Sequence, residues 1–105
     1  MAETIEIKRY QYYTFSSRDS SIANTVILLF GSGGYVGGAY FSTSDEPLKP
    51  AEQFPSGIYG LYYHYRDLPV IVDMLRNEKP VYLIYNGPDN TRISTTAEPV
   101  GEGEE

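Results

Sequence analysis

Apolar and polar positions alternate through residues 4–15, where Ile5 and Ile7 share one parity and Tyr10, Tyr12, Tyr13 and Phe15 follow. Strict alternation is the signature of a strand. The parity slips near Lys8 and Arg9, and a β-bulge there would return both apolar sets to one face. Residues 16–21 are polar turn formers and predict a loop. Val26, Ile27, Leu28, Leu29 and Phe30 form an unbroken apolar run. Apolar residues on both parities predict a central strand buried on both faces. Gly31, Ser32, Gly33 and Gly34 make a turn, and residues 35–41 return as the next strand, its Gly37–Gly38 pair marking a bulge or a close backbone approach. Residues 42–57 carry Pro47, Pro50, Pro55 and Gly57 and predict a long irregular loop. Strand character resumes at residues 58–65. Here Tyr59, Leu61, Tyr63 and Tyr65 fall on one parity and Ile58, Gly60, Tyr62 and His64 on the other.

The spacing of Leu68, Ile71, Val72 and Leu75 predicts a helix over 67–77, with Asp67 as cap, Pro69 in the first turn and Asn77 and Pro80 at the stop. Asp73, Arg76 and Asn77 fall on its outer side. Residues 81–85 read as a buried strand, 86–90 as a turn and 91–96 as a last strand. The expected class is α+β: an antiparallel sheet of five or six strands with one helix packed on a face, in the order β-β-β-β-α-β-β.

The chain has 105 residues, enough for one compact domain, expected over 1–97, followed by an acidic flexible tail over 98–105. Net charge is −6, but Glu98, Glu102, Glu104 and Glu105 hold much of it. Without those four, ten acidic residues face eight basic ones, and the body stands near −2. With zero Cys, disulfides, thiolate metal sites and Cys nucleophiles are excluded, and a reducing, cytoplasmic setting is expected. The acidic start lacks the pattern of a secretory signal, and no apolar run approaches the roughly 20 residues needed to span a bilayer, so no membrane partner is expected.

Candidate chemistry is sparse. His64 is the only histidine, so two histidines of one chain cannot share a metal. Ser32 lacks the glycine two positions earlier that a nucleophile elbow requires. The glycine-rich stretch 31–38 precedes a strand instead of opening a helix and has no phosphate-binding lysine, so it reads as a hairpin. Asp45 and Glu46 lie in a proline-rich loop and read as solvated charges. No catalytic residue, metal site or cofactor is expected.

The 11 tyrosines change the picture. Tyr combines an apolar body with a polar tip, suiting sheet surfaces and interfaces. Lys8, Arg9, Tyr10 and Tyr12 interleave cation and ring, and Tyr62, His64 and Arg66 repeat the theme. These seven are the candidate binding residues. The leading expectation is a non-enzymatic interaction module using a tyrosine-rich sheet face or the 42–57 loop, with a protein partner or itself in a homo-oligomer. The alternative is single-stranded nucleic-acid binding, in which rings stack on bases and cations neutralise phosphates. Four strands followed by a helix resembles the element order of Whirly-type single-strand-binding folds, from which the hairpin after the helix departs.

Overall fold

The structure, a computed structural model, describes residues 3–16 and 24–95. The tail expected over 98–105 and most of the loop expected over 16–21 lie outside the described residues. Eight strands and one helix follow in order: β1 (Glu3–Glu6), β2 (Arg9–Thr14), β3 (Thr25–Gly31), β4 (Gly34–Ser42), β5 (Glu52–Gln53), β6 (Tyr59–His64), α1 (Leu68–Asn77), β7 (Tyr82–Tyr85) and β8 (Arg92–Ser94). The class is α+β, but the single antiparallel sheet is corrected to two sheets. One has three strands in the order β1-β7-β8, the other five in the order β2-β3-β4-β6-β5.

The expected strand over 4–15 divides between them. Ile7 N–H donates to Val81 O at 2.8 Å, while the next amide, Lys8 N–H, donates to Phe30 O at 2.7 Å. Adjacent amides thus enter different sheets, and the parity slip marks a crossing instead of a bulge. Ile5, Ile7 and Tyr10 still pack against one shared core.

A second correction concerns strand direction: β4 and β6 run parallel, with Gly38 beside Gly60 and Tyr40 beside Tyr62. A parallel pair needs a crossover, and residues 43–58 supply it. The expected long loop contains β5, which pairs antiparallel on the far side of β6 through Glu52 and Gly60. Phe54 N–H to Ile58 O, 2.8 Å, closes the β5–β6 turn, and Gly57 at φ +96° provides the left-handed residue there. Between β3 and β4 the register shifts: Leu29 faces Gly37 and Phe30 faces Tyr35, leaving Val36 as the bulged residue. β3 lies second from the edge, and β4 holds the centre.

A 3₁₀ turn over Tyr65–Asp67 leads into α1. Asp67 takes the cap position but its side chain makes no capping bond, and Pro69 occupies the first turn. Ile71 is buried, Leu68, Val72 and Leu75 pack against the core, and Asp73, Arg76 and Asn77 face outward. Ile27, Leu29, Ala39, Phe41 and Leu61 of the large sheet meet Leu83 and Ile93 of the small one, joined by Val81 and Ile71. Each fully buried large side chain contributes roughly 1.5–3 kcal/mol. Among the described residues no helix is long and apolar enough to cross a membrane.

Candidate functional site

Pairing registers assign every side chain of the large sheet to a face. One face carries Ile27, Ala39 and Leu61 side by side and is buried against the small sheet and helix. The opposite face carries the row Tyr13, Val26, Tyr40 and Tyr62 across β2, β3, β4 and β6. Tyr13 remains 46% exposed, and Tyr40 and Tyr62 are half-buried. Val26, between Tyr13 and Tyr40 in the row, is buried without joining the main core cluster.

This open face is held together by its own rings. Tyr40 and Tyr62 stack at 5.4 Å between centroids, Tyr13 meets Phe15 edge-on at 5.5 Å, and Phe30 meets Tyr35 at 5.6 Å. Adjacent Gly38 and Gly60 form the floor. A Cβ on Gly38 would lie 3.0 Å from the Tyr40 hydroxyl, and one on Gly60 would lie 2.9 Å from the Phe54 ring and 3.2 Å from the Tyr62 hydroxyl. The missing side chains let the rings lie along the sheet.

Polar tips fix the rings. The Tyr62 hydroxyl donates to Glu52 Oε2 at 2.5 Å. Burial first, then this carboxylate, pushes the Tyr62 phenol well above its ordinary range. Tyr40 is pushed up to about 12, chiefly by burial, with Tyr35 adding to it. Among the described residues two cations lie over rings of this face. The Arg9 guanidinium sits 4.0 Å from the Phe30 ring centre, and Lys49 Nζ lies 5.0 Å from that of Tyr62 and 3.6 Å from Glu52. A cleft of about 480 Å³ opens beside Lys49, Pro50 and Tyr62, bounded by Pro88 and Asp89.

The structure separates the candidate residues. Arg9, Tyr62 and His64 belong to the open face, whereas register puts Tyr10 and Tyr12 on the opposite side of β2. Lys8 lies in the link between sheets, paired with Glu6 at 3.4 Å, and Arg66 is exposed in the 3₁₀ turn. His64 is a hydrogen-bonded strand residue, its Nδ1 3.3 Å from Ser44 O. Among the described residues no three His, Asp or Glu side chains gather as a metal site. Tyr13, Tyr35, Tyr40, Lys49 and Glu52 join the face although none is among the seven candidate residues; Tyr13 comes from the run that starts at Lys8, and Lys49 and Glu52 from the 42–57 segment. One signal was present: Gly38-Ala39-Tyr40 and Gly60-Leu61-Tyr62 repeat the pattern Gly-x-Tyr on the two strands that pair in register. Compared with known protein families, curated proteins and solved structures, the chain matches none.

Proposed function

We propose that the protein is a non-enzymatic binding module that docks a protein partner on the open face of its large sheet, in a cytoplasmic setting. The observation that carries this reading is the row Tyr13–Tyr40–Tyr62, aromatic and, among the described residues, partly exposed on the side opposite the core. Tyrosine supplies a large contact area with few rotatable bonds, and rings already stacked lose little freedom on binding. The 42–57 segment contributes the rim through Lys49 and Glu52. The charge on this face favours a protein over nucleic acid. Arg9 is seated on a ring, and Lys49 shares its charge with Glu52, whose carboxylate also holds Tyr62. Strong phosphate binding needs several available cations.

Peptide-display selection against the intact chain, with Tyr62→Ala as counter-target, tests the proposal. Selected peptides should lose at least about tenfold in affinity to Tyr40→Ala or Tyr62→Ala, as hot-spot residues do. Their binding should change little between low and moderate salt. A labelled single-stranded oligonucleotide is the competing probe. If it binds with steep salt dependence and the same variants abolish that binding, the face grips nucleic acid and the protein-partner reading falls.

A further inference from the structure

Among the described residues β2 has one neighbour, β3, and ends the large sheet. It runs for six residues without a proline or lysine, devices that commonly blunt exposed edges. Its one charge, Arg9, lies at its end. The small sheet and helix do not cover it: Tyr12, on the core side, is 51% exposed, and Tyr13, on the open side, is 46% exposed.

Hydrogen-bond parity sets what the edge offers. Phe15 N–H donates to Asn24 O at 2.9 Å, so the odd residues of β2 face β3. By alternation, Tyr10, Tyr12 and Thr14 direct N–H and C=O outward. We infer that two copies pair antiparallel along β2 about a two-fold axis at Tyr12, joining their large sheets into one. In that register Tyr12 faces Tyr12 of the second copy, Gln11 faces Tyr13, Tyr10 faces Thr14 and Arg9 faces Phe15. Every outward group finds a partner, no like charges oppose, and an isologous contact closes at two copies. Tyr12, Tyr13 and Phe15, at 51%, 46% and 44% exposed, together offer on the order of 300 Å² per copy. A standard interface buries roughly 800 Å² per partner. The dimer is therefore reversible, forming as concentration rises. The edge shares Tyr13 with the proposed docking row but not Tyr40 or Tyr62, so the tests at Tyr12 and those at Tyr40 and Tyr62 fail independently.

Sedimentation equilibrium of the intact chain from about 10 µM to about 1 mM reads the association directly. The mass should climb from monomer to dimer and stop. Tyr12→Lys should weaken dimerisation at least about tenfold because like charges then face each other, and Tyr12→Glu should do the same. An equimolar mixture of these two variants should restore the dimer, since only at the two-fold does a residue meet its own counterpart. The chain has no native cysteine, and a hydrogen-bonded antiparallel pair places Cα atoms about 5.5 Å apart, within disulfide reach. Tyr12→Cys should accordingly crosslink on mild oxidation, far faster than Val70→Cys on the exposed side of α1. Far-ultraviolet circular dichroism confirms that each variant folds. A folded wild type that stays monomeric at the highest concentration overturns the inference. Loss of dimer in both charged variants without rescue on mixing overturns the two-fold at Tyr12.

Discussion

At the residue scale, neighbouring glycines have unequal roles. A Cβ on Gly37 would lie 2.5 Å from Tyr59 O, a backbone atom fixed in the parallel β4–β6 pairing. Gly37→Ala should therefore destabilise the fold by roughly 2 kcal/mol, read as a lower urea midpoint. Gly38→Ala meets only the far end of the Tyr40 ring, which can swing. It should cost less stability while disturbing the open face. The sequence showed the glycine pair as a bulge or a close approach. Both are present, a bulge at Val36 and the close approach at Gly37, and locating the second needed the partner strand, whose backbone no local pattern reveals. Tyrosine ionisation supplies a second residue-scale prediction. Burial pushes Tyr63 from 10.0 up to about 12, with Asp67 adding and a hydrogen bond with the Ile93 backbone opposing. A raised phenol pKa means that the unfolded chain gives up this proton first. The stabilisation is complete below pH 10 and is lost as pH rises towards 12, by roughly 3 kcal/mol at most. Wild-type stability should fall steeply across that window. Tyr63→Phe, which has no phenol to ionise, should flatten the fall in urea titrations made at each pH.

At the element scale, β5 ends where the sequence removes a donor. Glu52 faces Gly60, and the same register carried two residues further would set Pro50 opposite Tyr62. Proline has no N–H, so the ladder stops and leaves the outer edge of β6 beside the cleft. Phe54 N–H bonds Ile58 O, so the even residues of β6 face β5 and the odd ones face β4. Hydrogen exchange followed by nuclear magnetic resonance should show Tyr62 N–H exchanging much faster than those of Leu61 and Tyr63. Pro50→Thr restores a donor for Tyr62 C=O, and by extending the ladder should bring the residue 50 carbonyl onto Tyr62 N–H and slow its exchange. Equal protection of Tyr62 and Leu61 in the wild type would contradict this edge. Much of the element plan was legible. The α1 spacing, the β3–β4 turn and the 86–90 turn, with Gly87 at φ +84°, stand where the pattern put them. Strand direction was not, because alternation identifies a strand and its buried face but is the same whether its neighbour runs parallel or antiparallel. The four-strand prefix that resembled Whirly-type folds also dissolves, since six strands in two sheets precede α1.

At the scale of the whole molecule, the question is whether two sheets mean two units. The parity slip at Lys8 records where the chain changes sheet, yet the sequence alone could not distinguish a crossing from a bulge, because both shift alternation by one. What unites the sheets is the set of side chains between them. Leu83 of β7 is fully buried and shares one cluster with Leu29, Phe41 and Leu61 of the large sheet. Neither sheet retains a closed core without the other, so they should unfold together. Hydrogen exchange tests this: the slowest amides of β3 and β7 should report the same opening free energy in the wild type. Leu83→Ala removes packing from both sides and leaves a cavity, at a cost of about 2–5 kcal/mol. The slowest amides of β3 and β7 should lose that stability equally. A loss confined to β1, β7 and β8, with β3 unchanged, would instead mean that the five-stranded sheet stands alone, with its tyrosine face needing no support from the small sheet behind it.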